Sequence, residues 1–335
     1  FTQKIDRKDS ILGFFHDWVL KLSEKFETVQ VVCLEKGDHS FPSNVTVYSL
    51  GKEGGVSKFK YLVNFYSILK SISGSYDRVF IHMNQEYVLL GGIYWRMKNI
   101  PVYLWRNHPY GNFLAYLAVM LSTKVFCTSS KSYTAKFSKT IIMPAGINTD
   151  NFKIKDTFIR KKYSICMVGR VSPVKHVEIG IDAIKLLIDE GVQVSFTIIG
   201  DVPNVDLNYQ SDLKKKVEDY GLSKVVSFKS GVTKEELPDI YGGFEICLNL
   251  TEEGSFDKTI VEAASCGAIP LVSGRSFSGL LPEVCITDSI PENIAKSIKD
   301  LLEPESQIRI KKDLERFVES QSLAGLILKL KTEIE

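Results

Sequence analysis

A loop with two cations follows an apolar segment in the second half of the chain. Residues 169–176 read GRVSPVKH and come directly after Tyr163–Val168. Gly169 allows a sharp backbone turn. Arg170 can hold a phosphate through its planar guanidinium group, and Lys175 can do so as a point charge. The loop therefore predicts a diphosphate site, and a solvated basic loop is the alternative.

A second loop, rich in small residues, leads into a predicted helix. Residues 251–267 read TEEGSFDKTIVEAASCG and follow the apolar segment Glu245–Leu250. Gly254 and Ser255 make a small-residue turn, and backbone amides at a helix start can hold an anion. Glu262 lies within the helix, where its carboxylate can accept hydrogen bonds from both hydroxyls of a ribose. A surface salt bridge is the alternative role for Glu262.

These motifs together resemble those of the family 4 glycosyltransferases, which have the GT-B fold. The resemblance rests on G-R-x-x-x-x-K at 169–175 and on the helix end IVEAASCG at 260–267, with the strand AIPLV after it. In the first half, Gly13, the segment LWRNH at 104–108 and the segment PAGIN at 144–148 also fit. The resemblance covers nearly the whole chain.

The resemblance implies retaining transfer of a sugar from a nucleotide-sugar donor by a hexosyltransferase-type enzyme (EC 2.4), without a catalytic metal or a cofactor. UDP or GDP would be the product. Arg170 and Lys175 would bind the diphosphate, Glu262 the ribose, and His108 would lie near the transferred sugar; a structural role is the alternative for His108. The implied catalytic residues are His108, Glu253, Arg170 and Lys175. The implied donor-binding residues are Gly13, Gly169, Arg170, Lys175, Gly254, Ser255, Phe256, Asp257, Lys258, Thr259 and Glu262.

One position departs from the family pattern. The family has a glutamate, seven residues and a second glutamate, but Gly254 stands at the first of these positions and Glu253 is displaced by one residue. Glu253 reaches the donor sugar if the loop shifts; otherwise Asp257 or backbone groups replace it. The departure keeps two alternatives open, which are a non-catalytic nucleotide-sugar-binding protein and a UDP-sugar epimerase on the same fold.

The acceptor side is assigned to the first half of the chain. Its candidate contacts are His82, Asn84, Glu86 and Arg106. The segment 58–66 (KFKYLVNFY) mixes cations and aromatic residues on a predicted helix, which can rest at a membrane interface or turn its aromatic side chains into the core. We therefore expect a glycan or lipid-linked acceptor, an anionic membrane surface as a possible partner, and a role in cell-surface polysaccharide or glycolipid synthesis.

Alternating apolar segments and amphipathic stretches must position these residues. This alternation predicts an α/β protein with two doubly wound, Rossmann-like parallel-sheet domains facing a central cleft. We place the acceptor domain at 1–150 and the donor domain at 151–335, with a last helix that can cross back to the first domain. G-x-G-x-x-G is absent from the sequence, which disfavours nicotinamide or flavin binding.

Strands are predicted at Val29–Leu34, Val45–Leu50, Arg78–Met83, Val102–Trp105, Lys124–Cys127, Thr140–Met143, Tyr163–Val168, Val194–Ile199, Val225–Phe228, Glu245–Leu250, Ala268–Val272 and Val284–Ile286. Helices are predicted at Ile11–Phe26, Lys58–Ile72, Glu86–Lys98, Val177–Glu190, Tyr209–Tyr220, Lys234–Tyr241, Asp257–Ser265, Pro291–Leu302 and Ile308–Ser320.

Composition narrows the functional classes. The 335 residues are 44% hydrophobic and 24% charged, which suits two folded domains. Six cysteines without a C-x-x-C pair, and no apparent signal peptide, predict reduced thiols in a cytoplasmic protein and no dedicated metal site. Residues 1–150 carry 18 Lys and Arg against 11 Asp and Glu, whereas the rest of the chain is acidic. The basic half suggests an anionic partner, a phosphorylated ligand or a membrane surface; nucleic acid is not expected.

Overall fold

The computed structural model describes residues 1–9, 11–155, 157–251, 256–274 and 277–335. The chain divides into two compact units. The first comprises Phe1–Gly146 and Leu323–Glu335, and the second comprises Ile147–Ser322. The division lies close to the predicted boundary at residue 150, and the last helix is part of the first unit.

The strands of the first unit are parallel and form two sheets. Strands β1 (Thr2–Ile5), β2 (Val29–Lys36) and β3 (Val45–Ser49) pair in the order β1-β2-β3. Strands β4 (Val79–His82), β5 (Val102–Trp105), β6 (Lys124–Cys127) and β7 (Thr140–Ile142) pair in chain order. The ammonium group of Phe1 donates to the carbonyl of Phe80 at 2.7 Å, and the His82 amide donates to the carbonyl of Phe1 at 2.8 Å. The two sheets therefore meet along β1 and β4.

Helices cover both faces of the two joined sheets of the first unit. The helices are α1 (Phe14–Ser23), α2 (Lys58–Ser71), α3 (Gln85–Met97), α4 (Phe113–Leu121) and α11 (Leu323–Ile334). One core cluster joins α1 and α11 to the strands, with Trp18, Leu326 and Leu330 at its centre. A second core cluster joins α2, α3 and α4 to the strands, with Phe65 and Trp95 buried within it. The unit is therefore the helix–sheet–helix sandwich that the apolar strands predict.

The second unit has one parallel sheet in the order β10-β9-β8-β11-β12. Its strands are β8 (Ser164–Val168), β9 (Ser195–Ile199), β10 (Val226–Lys229), β11 (Ile246–Asn249) and β12 (Ile269–Val272). Its helices are α5 (Val177–Asp189), α6 (Leu207–Asp219), α7 (Leu237–Gly242), α8 (Lys258–Ser265), α9 (Pro291–Leu302) and α10 (Pro304–Ser320). The strand order reverses between β8 and β11, and ligands of such sheets bind at the carboxyl ends of the strands at this point.

The α/β class and the parallel sheets confirm the predicted fold class, but single elements differ. The strand predicted at Val284–Ile286 is wrong: Glu283–Cys285 is a turn of 3-10 helix, and Ile286 makes one isolated bridge to Val272. Strand β1 and helix α4 were not predicted. Because Thr2–Ile5 alternates only weakly and Phe113–Leu121 is apolar all round, neither segment has an amphipathic pattern.

Candidate active site

A polar cluster occupies the carboxyl ends of β8 and β11 in the second unit. The Lys175 Nζ atom donates to Asp257 Oδ2 at 2.6 Å and to Thr251 Oγ1 at 2.9 Å. Asn249 Nδ2 donates to the same Asp257 oxygen at 2.9 Å. Only 18% of the Lys175 side chain and 15% of the Asp257 side chain are exposed. The cluster therefore fixes a positive charge at the point where the strand order reverses.

Asp257 also starts helix α8. Its Oδ1 accepts from the amide of Thr259 at 3.1 Å and from the Thr259 hydroxyl at 2.9 Å, which is an N-cap. Burial alone would raise the pKa of the Asp257 carboxyl, but the charge of Lys175 and the hydrogen bonds from Lys175, Asn249 and Thr259 lower that pKa below its ordinary value. Asp257 is therefore held as a carboxylate.

Two glycines shape the loop that carries Lys175. Gly169 has φ +136°, a conformation that side chains rarely adopt, and it lies against the end of the Lys175 side chain. A Cβ atom at Gly200 would lie 1.8 Å from the carbonyl oxygen of Gly169. The ends of β8 and β9 therefore approach closely, and the end of the Lys175 side chain lies beside them at Gly169.

The residues after Lys175 anchor the start of α5. His176 has a left-handed backbone at φ 50°, and its Nδ1 lies 3.2 Å from Glu178 Oε1. The Tyr209 hydroxyl donates to Glu178 and accepts from the Val177 amide at 3.1 Å. Arg170 is exposed in the same loop. The two cations thus differ, because Lys175 is held by its neighbours and Arg170 extends into solvent.

Glu262 lies on α8, near Asp257. Its side chain is partly exposed, but burial raises the pKa of Glu262 to about 7, and the charge of Asp257 adds to this rise. The charges of Lys258 and Lys234 oppose it. The hydroxyl of Tyr241 is fully buried and has no hydrogen bond of ordinary geometry to any described residue, and its proximity also lowers the pKa of Glu262. Glu262 can therefore exchange a proton near neutral pH.

Several predicted donor residues can be described only in part. Glu253, Gly254 and Ser255 lie outside the described residues. Phe256 is partly exposed, and its ring centroid lies 4.8 Å from that of the buried Phe277. The amide of Thr259, at the start of α8, is already bonded to Asp257, so it is not available to an anion.

In the first unit, His108 and Arg106 follow the carboxyl end of β5. His108 is exposed, and its Nδ1 lies 2.9 Å from the carbonyl oxygen of Tyr110. Arg106 donates to Gln85 Oε1 at 3.0 Å and to the Tyr110 carbonyl at 2.9 Å. Its buried Nη1 has no hydrogen-bond partner among the residues that the structure describes, and burial lowers the pKa of Arg106.

The other predicted residues of the first unit have different surroundings. His82 is 1% exposed and stacks on Phe15 with ring centroids 4.1 Å apart, so burial disfavours the predicted acceptor contact. Asn84 Nδ2 donates to Gln3 at 2.6 Å, and Glu86 is exposed at the start of α3. A Cβ atom at Gly13 would lie 2.5 Å from the Asp9 carbonyl, so Gly13 lets its own loop close tightly.

Sequence reasoning did not identify Asn249 and Thr251. Both are polar residues at the end of a strand whose other residues are apolar, and this signal was available in the sequence. Among the described residues, no group of three or more His, Cys, Asp or Glu side chains could hold a metal ion. No helix in the described part of the chain is long and apolar enough to cross a bilayer.

Comparison with known proteins gives the family. The profile described as "Glycosyl transferases group 1" matches residues 148–321. The phosphatidylinositol N-acetylglucosaminyltransferase GPI3 subunit of Saccharomyces cerevisiae (strain ATCC 204508 / S288c) is 25% identical over 169 residues, which is 48% of this chain. The match covers only 36% of that relative.

Solved structures match over the whole chain. Anabaena HepE in complex with UDP has a TM-score of 0.78 at 16% identity, covering 99% of this chain and 98% of that one. Sucrose-phosphate synthase of Thermosynechococcus elongatus has a TM-score of 0.72 at 14% identity, covering 99% and 97%. WaaG, a glycosyltransferase of lipopolysaccharide biosynthesis, has a TM-score of 0.62 at 13% identity, covering 100% and 99%.

These likenesses agree with the fold class predicted from the sequence, which is GT-B. The family profile covers more than half of the chain and includes the Lys175 cluster and Glu262. The chain belongs to the group 1 glycosyltransferases.

Proposed function

We propose that the protein transfers a sugar, with retention of configuration and without a catalytic metal, from a nucleotide-sugar donor to a glycan or lipid-linked acceptor. The donor binds the second unit and leaves UDP or GDP. The product serves cell-surface polysaccharide or glycolipid synthesis. The proposal rests on the Lys175 cluster at the point where strand order reverses, and the UDP complex of Anabaena HepE supports a uridine nucleotide.

The Lys175 cluster suits a diphosphate because it leaves donor capacity unused. An ammonium group has three N–H donors, and Thr251 and Asp257 take two of them among the described residues. Asp257 and Thr251 thus fix the direction of the third. Arg170 supplies a second positive charge from the same loop, and Glu262 can accept from the ribose hydroxyls when it is ionised.

The reaction needs stabilisation of negative charge on the leaving phosphate. In the proposed step, the bond between the sugar C1 atom and the phosphate oxygen breaks, and its electron pair stays on the phosphate. The acceptor hydroxyl oxygen forms a bond to C1 on the same face, and its proton passes to a phosphate oxygen. Lys175 is a preorganised cation for the developing charge, and the exposed Arg170 adds a second positive charge; a magnesium ion often has this role.

The remaining predicted residues belong to this proposal as candidates. His108 is exposed after β5 and has a ring edge available for the transferred sugar. Arg106, Asn84 and Glu86 are the proposed acceptor contacts, and Glu253 is the proposed partner of the donor sugar. We place the enzyme in the cytoplasm, at the inner face of the membrane.

The diphosphate clamp is tested by substitution. Lys175→Ala and Arg170→Ala should each lower turnover by about 10²–10³-fold, the usual effect of losing one group that stabilises developing charge. Lys185→Ala is the matched control, because Lys185 is a half-buried lysine on α5 of the same unit that pairs with Asp189 and not with the Lys175 cluster. Turnover and UDP affinity are measured with purified protein, UDP-sugars and GDP-sugars. Near-normal turnover in both variants would rule the clamp out.

Retention and metal independence need separate readouts. NMR of the sugar product should show the anomeric configuration of the donor, and activity should survive EDTA. Inversion of the anomeric centre, or an EDTA-dependent loss that magnesium restores, would contradict these parts of the proposal. Tight nucleotide binding without hydrolysis or transfer would favour a non-catalytic binding protein.

A further inference from the structure

Three helices of the first unit expose apolar side chains on the same side of the sheet. Helices α2, α3 and α4 all pack their inner faces into one core cluster. We call their combined outer side the α2–α4 face. Its exposed apolar residues are Phe59, Val63 and Tyr66 on α2, Leu90, Ile93 and Met97 on α3, and Phe113, Leu114, Tyr116, Leu117 and Met120 on α4.

Direct contacts show that the three helices are neighbours. The Tyr66 hydroxyl on α2 donates to the carbonyl of Leu90 on α3 at 3.1 Å. On the other side of α3, a Cβ atom at Gly92 would lie 3.2 Å from Leu121 on α4. The exposed apolar residues are therefore on adjacent helices and form a broad surface.

Helix α4 shows why this surface is unusual. Its nine residues, FLAYLAVML, contain no charged or strongly polar side chain. Ala115, Ala118 and Val119 are buried, and larger side chains such as Phe113 point outward with 73% of the residue exposed. Large contiguous apolar surface on a protein commonly marks an interaction site.

The charge around the α2–α4 face is predominantly positive. No Asp or Glu occurs between Tyr87 and Thr149, a stretch with seven Lys and Arg residues. Glu86 is the only acid in the three helices. Lys58, Lys60 and Arg96 are exposed on α2 and α3.

A basic pocket opens beside this face. It has a volume of about 430 Å³ and lies where α3 and α4 end, with Arg96, Lys139, Met120, Ser122 and Thr123 among its lining residues. No acid lines it among the described residues. The Lys139 Nζ atom donates to the Ser122 carbonyl at 2.8 Å, and burial together with the charge of Arg96 lowers the pKa of Lys139. Two cations held close together with no acid between them favour a bound anion.

We propose that the α2–α4 face docks onto an anionic phospholipid bilayer, with the apolar side chains at the acyl boundary and a lipid phosphate held by Arg96 and Lys139. This inference deepens the membrane location in the proposed function and does not depend on the transfer reaction. Interfacial helices bury large apolar side chains and surround them with Lys and Arg. The face meets both conditions.

Charge distinguishes the bilayer from other occupants. A second copy of the chain in a two-fold dimer would place this basic face against itself, so like charges would oppose one another. An anionic leaflet instead attracts each basic residue near its surface. A broad face over three helices also fits a plane better than it fits a single peptide.

Flotation with lipid vesicles tests the proposal. The full chain should float with vesicles of phosphatidylcholine and phosphatidylglycerol, and not with phosphatidylcholine alone. Binding should weaken with added salt. The double variant Ile93→Gln/Met97→Gln and the variant Arg96→Glu should each weaken binding by about tenfold or more, given ~0.8 kcal/mol per buried methylene and ~1 kcal/mol per charge. Arg96→Lys, which keeps the positive charge, should retain most of the vesicle binding that Arg96→Glu loses.

Matched controls use exposed residues of the same types on the second unit. Ile308→Gln and Lys311→Glu on α10 should leave vesicle binding unchanged, since both are exposed and lie outside the α2–α4 face. UDP should raise the melting temperature of every variant equally. This readout separates failure of the membrane inference from failure of the donor site.

Three results would overturn the inference. The first is no flotation with anionic vesicles. The second is equal loss of binding in the Ile308→Gln and Lys311→Glu controls. The third is a concentration-dependent dimer in light scattering that Ile93→Gln/Met97→Gln abolishes, because the face would then join two copies.

Discussion

Glu262 combines two demands that oppose each other. Burial raises its pKa to about 7, so the folded protein favours the protonated form. Accepting hydrogen bonds from two ribose hydroxyls with both carboxyl oxygens favours the ionised form. The proposed site therefore holds a group whose ionisation destabilises the fold in the absence of ligand and prepares it for a nucleotide.

Replacing Glu262 with Gln should separate these effects. An ordinary glutamate has its pKa at 4.5, so the stability that Glu262 contributes in its protonated form is present below 4.5 and is lost as pH rises to about 7. Glu262→Gln should therefore melt higher than the natural protein at pH 8 and at nearly the same temperature at pH 4.5. The difference between the ordinary pKa of 4.5 and the raised pKa of about 7 sets an upper limit of about 3 kcal/mol on this effect, which partial exposure of the side chain reduces.

Nucleotide affinity should change in the opposite direction. UDP should bind Glu262→Gln less tightly at pH 8, and the affinity of the natural protein should fall as pH drops below 7. Calorimetric titration measures both, with the exposed Glu235→Gln as the control. An affinity independent of pH in the natural protein would remove Glu262 from the ribose site.

At the scale of elements, the Asp257 side chain has two roles: it caps the start of helix α8, and it holds Lys175 in position. Asp257 accepts from the amide of Thr259 and from Lys175 Nζ with different oxygens. An asparagine keeps an N-cap oxygen but loses the charge, whereas an alanine loses both.

Asp257→Ala should therefore destabilise the second unit more than Asp257→Asn does. Loss of the cap costs about 1 kcal/mol, and loss of the hydrogen bond to a charged partner about 1.5–3 kcal/mol. Calorimetric melting of both variants measures the difference. Equal melting temperatures would mean that the cap contributes nothing and that the charge alone matters.

The sequence predicts most elements because apolar strands and amphipathic helices have clear periods. It misses β1 because Thr2–Ile5 is short and partly polar. The position of β1 between β2 and β4 depends on residues that are distant in the chain. It misses α4 because a helix that is apolar all round has no period to detect. Both β1 and α4 are therefore defined by contacts that form only when the chain folds, and these contacts are not visible in the sequence.

In the candidate site, too, local motifs could be identified from the sequence, and contacts between distant residues could not. Lys175, Asp257 and Glu262 could be selected from the chain because the motifs that hold them are local. The bond between Lys175 and Asp257 joins residues 82 positions apart and could not be read from the sequence. The burial of His82 under Phe15 depends on helix α1, so sequence placed that histidine correctly at a strand end and could not show that its ring is covered.

At the scale of the whole molecule, the chain returns to its first unit in the last helix. Leu326 and Leu330 on α11 are fully buried with Trp18, and the carbonyl of Ile334 accepts from Tyr103 at 3.1 Å. The second unit is thus an insertion between the body of the first unit and its final helix. The stability of the first unit therefore depends on residues that follow the second unit in the chain.

Leu326→Ala should destabilise the first unit by about 2–5 kcal/mol, because it removes a buried side chain from a packed core. All three tryptophans, Trp18, Trp95 and Trp105, lie in the first unit, so intrinsic fluorescence reports its unfolding alone. The urea midpoint by fluorescence should fall, while UDP affinity in the second unit stays unchanged. Leu328→Ala is the matched control on the same helix, since Leu328 is 63% exposed. A loss of UDP affinity in Leu326→Ala would show that the two units fold as one cooperative body.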